Sequence, residues 1–217
     1  MPTNKRRLRW NAVPVALLSA GMAYWFGLRP WHIHWGATDA ELARPLPGDE
    51  IVPRPRKWST RAITIDAPAE AVWPWLVQLG QGRGGLYSYD WLENLVGCDI
   101  HSASQVIPEF QYVEVGDVVR LGPPGYPAYM VVTVEPGRAL VLGGGDLDMG
   151  AHSWVFVLER IDERTTRLIV RSRGDYPPTL TNFVIWRAIT EPLHFVMERK
   201  MVFGIKQRAE AEVLNAS

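Results

Sequence analysis

The chain has 217 residues, 47% of them hydrophobic and 21% charged, which is room for one ordinary domain with an appendage and is far from a disordered composition. Twenty-three basic residues balance twenty-three acidic ones, which argues against a dedicated nucleic-acid binder, and the single cysteine, Cys98, excludes an intrachain disulfide framework and a multi-cysteine zinc site. Ten tryptophans supply aromatic surface for an interface, a membrane boundary or a cavity wall.

The neutral balance hides a basic leader on an acidic body. The first sixty residues carry nine Lys or Arg against four Asp or Glu. Lys5, Arg6, Arg7 and Arg9 stand directly before a charge-free run of 19 residues, Trp10 to Leu28. As a helix that run spans about 28 Å, close to the bilayer core. Tyr24, Trp25, Phe26, Trp31 and Trp35 near its far end resemble an interfacial belt. Three readings stay open: a retained anchor, a cleaved signal peptide with a small-x-small site at Gly21-Met22-Ala23, and a core helix. The first is favoured. It makes the protein single-pass, with a cytoplasmic N-terminus, an extracytoplasmic body and the membrane as a partner.

The leader is assigned to residues 1–30 and a Pro-rich strap to 31–58, where Pro45, Pro47, Pro53 and Pro55 impose an extended path. The main domain, 59–217, opens with a strand at RAITID, Arg61 to Asp66. Asp66-Ala67-Pro68 starts a helix bearing Val72, Trp73, Leu76 and Leu79 at helical spacing, with Pro74 shortening or kinking it. Tyr89 to Val96 reads as a second short helix.

Five strand-like runs follow: Val118 to Leu121, Ala128 to Val134, Ala139 to Leu142, Ser153 to Arg160 and Arg167 to Arg173. Glycine, proline and aspartate clusters separate them, including Gly143-Gly144-Gly145-Asp146, which predicts an antiparallel meander. From Leu180 the pattern is helical, split by Pro192. Leu193, Met197, Met201 and Ile205 form a stripe expected to lie on the sheet.

The segment ITIDAPAEAVWPWLVQLGQGRGGLYSYDWLENLVG, Ile63 to Gly97, resembles the opening of the START-like helix-grip (SRPBCC) superfamily, with its polyketide cyclase/dehydrase-like members. The strap WGATDAELARPLPGDEIVP and the final helix EPLHFVMERKMVFGIKQRAE are similar to those of an uncharacterised bacterial subgroup with an N-terminal hydrophobic segment. The resemblance implies an α+β helix-grip fold: a curved antiparallel sheet wrapped around a long C-terminal helix, with a ligand cavity between them. Superfamily members bind lipids, sterols and polyketides, and some catalyse cyclisation or dehydration.

Candidate ligand-binding residues are Tyr87, Tyr89, Asp90, His101, Trp154, Phe156, Met197 and Met201. By the resemblance, the Tyr87-to-His101 cluster borders the pocket mouth. There Asp90 and His101 are the weak candidates for acid–base chemistry, with Glu109 weaker still. The competing account has Tyr89 packing and Asp90 capping a helix. His194 and Glu198, four apart, and His32-x-His34 match no metal pattern, and no cofactor motif is present. Arg167, Arg171 and Arg173 share a strand face, either solvated or binding an acidic group. The expected function is a membrane-anchored carrier for a hydrophobic small molecule or lipid, without nucleic acid. A cyclase or dehydratase is the alternative, and protein partners are left unassigned.

Overall fold

The computed structural model describes residues 14–16, 18–146 and 150–216. The body is an α+β arrangement built on one six-stranded antiparallel sheet. Its strands are β1 (Lys57–Ile65), β2 (Val118–Arg120), β3 (Ala128–Glu135), β4 (Ala139–Asp146), β5 (Gly150–Arg160) and β6 (Thr166–Gly174), in the order β1-β6-β5-β4-β3-β2. β2 to β6 form the expected meander, and β1 closes the far edge by pairing with β6, Arg61 opposite Val170. A register shift between Val131 and Thr133 marks a bulge, which bends a strand and raises its twist.

The helices are α1 (Arg29–Ile33), α2 (Asp39–Ala43), α3 (Ala69–Val77), α4 (Asp90–Leu95), α5 (Leu180–Val184) and α6 (Glu191–Ala216). The main core lies between the inner sheet face and α3 and α6, with Ile65, Val72, Leu76, Phe156, Leu168, Val170, Met201 and Ile205 buried in it. From Leu180 onward the chain stays helical through a π-helical turn, Ile185–Thr190, so Pro192 does not split it. That turn sits directly before Pro192, and a widened turn spares the helix the clash of a proline ring with the carbonyl four residues back.

Several expectations are corrected. Among the described residues no helix is long and apolar enough to cross a membrane. The single-pass anchor, its topology and the hydrophobic N-terminal helix as a span are therefore withdrawn. Lys5 to Arg9, Trp10 to Val13 and Leu17 lie outside the described residues. The far end of the run is docked on the body. Tyr24, in a π-helical turn Tyr24–Leu28, donates its hydroxyl proton to the Arg187 carbonyl at 2.6 Å, and Arg29 pairs with Glu191 at 2.8 Å.

The glycines at 143–145 do not form a turn but continue β4. A Cβ on Gly144 would stand 2.6 Å from the His152 Nε2, so glycine makes room for that imidazole. The arginines of β6 are not solvated. They clasp the strap on the outer face: Arg167 pairs with Glu41 at 2.8 Å, and Arg171 reaches Asp49 at 2.8 Å and the Glu41 carbonyl at 2.7 Å. α2, opened by a reciprocal Thr38–Glu41 capping box, holds Glu41 in place. Beneath the strap Leu46, Val141, Val155 and Ile169 form a second core. Leu193, placed on the sheet-facing stripe by its spacing, is 51% exposed. The buried positions of α6 are Glu191, Phe195, Glu198, Met201, Val202, Gly204, Ile205 and Ala209. The first half of that face is therefore charged and the second half apolar.

Candidate functional site: a polar recess under the C-terminal helix

Strand alternation puts Lys57, Ser59 and Arg61 on the inner face of β1, because Ile63 and Ile65 further along that face join the main core. On β5 His152 and Trp154 face the same way, and Tyr129 of β3 meets them. Its ring lies 4.9 Å edge-on to His152 and 5.7 Å from Trp154, and Trp154 lies 4.8 Å from Phe156. The first half of α6 closes over these residues with Glu191, His194 and Glu198.

Arg61, 1% exposed, is the hub. Its Nε donates to the His32 carbonyl at 2.9 Å and its Nη1 donates to the Glu198 carboxylate. The other Glu198 oxygen accepts the Trp154 indole N–H at 2.8 Å. This pair is stabilising only as a unit, because either charge alone would be left desolvated. Arg61 Nη1 also lies 3.3 Å from His194 Nδ1. A guanidinium only donates, so Nδ1 accepts and the proton of the neutral ring sits on Nε2. Burial, then the charges of Lys57 and Arg61, holds His194 well below its usual pKa and keeps it uncharged. Glu191 is satisfied separately by Arg29, through contacts of 2.8 and 3.1 Å, with Arg187 3.6 Å away on its other side.

Lys57 lies 4.8 Å over the Trp186 ring. Burial lowers its pKa to about 8, against the opposing pull of Glu191 and Glu198. Burial, with Glu198 nearby, raises the Tyr129 hydroxyl strongly. Yet Lys57, Tyr129, His152 and His194 are only half-buried, and His194 keeps 26% of its side chain accessible. Accessible surface and strong desolvation coexist where a side chain faces a recess walled by protein rather than bulk water. The wall is part aromatic, with Tyr129 and Trp154, and part polar, while Phe156 lies behind Trp154, fully buried in the core.

The other sequence candidates are spread around this recess. Tyr87 is core: its hydroxyl accepts from Gln78 at 2.8 Å, burial raises its pKa to about 12, and its backbone has φ 54°. Gly204 of α6 allows that loop to approach, since a Cβ there would lie 2.5 Å from the Tyr87 carbonyl oxygen. Asp90 accepts from the Ser102 amide at 2.7 Å and its hydroxyl at 2.6 Å, tying down the same loop, and Tyr89 is half-buried beside it. His101 is 81% exposed and faces Asp99 at 3.1 Å, and Glu109 is exposed. Met197 is half-buried and its carbonyl accepts from Ser88, while Met201 is fully packed. The recess thus gathers Trp154, with Phe156 packed behind it in the core, and none of the Tyr87-to-His101 cluster.

Lys57, Ser59, Arg61, Tyr129 and His152 were not among the sequence candidates. One signal for them was present: Arg61 occupies an inward strand position in step with Ile63 and Ile65, while Glu191 and Glu198 are in helical step with Ile205. Among the described residues no group of three or more His, Cys, Asp or Glu is placed to hold a metal ion.

No family model matches the chain, and no curated protein matches it. Solved structures do. Protein MLL2253 from Mesorhizobium loti is 15% identical, with 71% of this chain and 98% of that one covered and a TM-score of 0.41. A protein from Arthrobacter aurescens is 17% identical, covering 71% and 86%, with a TM-score of 0.42. DynU16, of the dynemicin biosynthetic locus, is 15% identical, covering 68% and 46%, with a TM-score of 0.39. At these scores the architecture rests on the chain's own topology: a six-stranded antiparallel sheet with a long C-terminal helix across it, the layout of a helix-grip fold.

Proposed function

We propose that this protein binds a hydrophobic small molecule or lipid in the recess between the inner sheet face and the first half of α6. The observation that carries this reading is the set of partly exposed yet desolvated side chains, Lys57, Tyr129 and His194, set beside Trp154. Concave, largely apolar sites with a few convergent polar groups are where small molecules bind. The test is labelling of the purified protein with an apolar diazirine probe, read by peptide mass spectrometry. Labels are expected on the segments containing Tyr129, His152 to Phe156 and His194 to Met197, with competition by a lipid extract. Labelling confined to surface helices would refute it.

A second reading is a cyclase- or dehydratase-like activity. The observation favouring it is a neutral, desolvated His194 with its tautomer set by Arg61. Turnover of a polyketide-like substrate that His194→Gln abolishes, with binding kept, would establish it.

A further inference from the structure

Every carboxylate around the recess is already taken. Glu198 holds Arg61 and the Trp154 indole, and Glu191 holds Arg29. Donors, in contrast, are left over. Lys57 makes no hydrogen bond or ion pair among the described residues, and its ammonium meets only the face of Trp186. Ser59 lies two residues further along the same strand face, about 7 Å away along the backbone. It is 3% exposed, and its hydroxyl is buried without a hydrogen-bond partner. The Tyr129 hydroxyl makes no hydrogen bond among the described residues and retains access to the recess. The His194 Nε2–H stands 3.6 Å from Glu198, beyond a good hydrogen bond.

We propose that the ligand is an amphipathic monocarboxylic acid, its carboxylate bound between the Lys57 ammonium and the Ser59 hydroxyl and its apolar body against Tyr129 and Trp154. This rests on the reading of the recess as a ligand site and names the ligand's class. Charge counting supports it. Arg61 pairs with Glu198, and Glu191 is shared by Arg29 at 2.8 Å and Arg187 at 3.6 Å, which leaves Lys57 as the cation on the inner face of β1 with no carboxylate partner among the described residues. A cation without a carboxylate partner in a water-poor recess favours an anion, and a singly charged carboxylate loses its hydration at lower cost than a phosphate monoester carrying nearly two charges. A sterol or polyketide carbonyl would accept a hydrogen bond but leave the ammonium unneutralised. The depressed Lys57 pKa agrees, since the empty site penalises the charged amine and a bound carboxylate would restore it.

The test is calorimetric binding to the full-length, delipidated protein at pH 7. Dodecanoate is compared with dodecanol and dodecyl phosphate, and biphenyl-4-carboxylate with 4-phenylbenzyl alcohol, the two pairs separating alkyl from aromatic acids. At least one acid is expected to bind about 10- to 100-fold tighter than its alcohol. In Lys57→Met the acid-to-alcohol ratio is expected to collapse to within about threefold, and Ser59→Ala to lower it by about three- to tenfold. Should Lys57→Met fail to fold, carbon-13 NMR of carboxyl-labelled acid on the wild type decides: the bound carboxyl stays ionised below its free pKa. Equal affinity for acid and alcohol, a preference for the phosphate, a ratio that survives Lys57→Met, or a bound acid that protonates at its free pKa would overturn the carboxylate assignment and leave the hydrophobic-ligand reading standing. Binding of none of the probes overturns both.

Discussion

Glu198→Leu removes the carboxylate that neutralises Arg61. The guanidinium, 1% exposed, would keep only the His32 carbonyl at 2.9 Å and His194 Nδ1 at 3.3 Å, and the Trp154 indole N–H would lose its acceptor. Breaking a buried pair from one side costs about 3–5 kcal/mol. For a chain of this size each kcal/mol lowers Tm by about 2–4 °C, so the single variant should melt roughly 6–20 °C lower. The double variant Arg61→Met, Glu198→Leu removes both charges and leaves chiefly the orphaned indole donor, a deficit of about 1–3 kcal/mol. Urea denaturation of the four proteins in the cycle gives the coupling energy directly. A single variant that loses less than about 1 kcal/mol, or a double variant that falls by the sum of the two singles, would show that the pair is not the electrostatic hub inferred from its geometry.

Gly204→Ala should destabilise by roughly 2 kcal/mol or more, reversing the roughly 1 kcal/mol gain usual for this change within a helix, because the new methyl meets the Tyr87 carbonyl at 2.5 Å. A rise in Tm would contradict that close approach. Arg171→Ala should release the strap, seen as faster amide hydrogen exchange across residues 41–49, and unchanged exchange there would mean that the strap is held by its apolar contacts alone. Burial, then Asp90, raises the Glu93 carboxyl from 4.5 to about 7, so the folded state holds that proton more tightly than the unfolded chain does. Its stabilising effect is full below about pH 4.5 and fades by roughly 3 kcal/mol as pH rises through 7. Glu93→Gln should therefore flatten the stability profile between pH 5 and pH 8 and gain most at pH 8, and an unchanged slope would assign the pH dependence elsewhere.

Local pattern in the sequence determined the elements and their order. Alternation marks β1 at Ile63 and Ile65, and turn residues separate the meander strands. Proline and acid placement open α3, and helical spacing marks α6. These depend on neighbours a few residues apart, so they can be read along the chain. What a side chain meets across the fold cannot be read that way. The leader's Tyr24 and Arg29 are bound to residues more than 160 positions away, which makes the end of an apolar run part of the body. The arginines of β6 alternate as a solvated face would, and only the strap above them makes that face an interior. Gly144 looks like a turn residue until His152 is seen to need its space. The recess is the extreme case. A lone Arg61 in a strand and a lone Glu198 in a helix, 137 positions apart, each look like exceptions to the apolar pattern. Only their pairing makes both burials tolerable, and pairing at that separation is decided by tertiary packing, which brought Lys57, Tyr129 and His194 to the same recess.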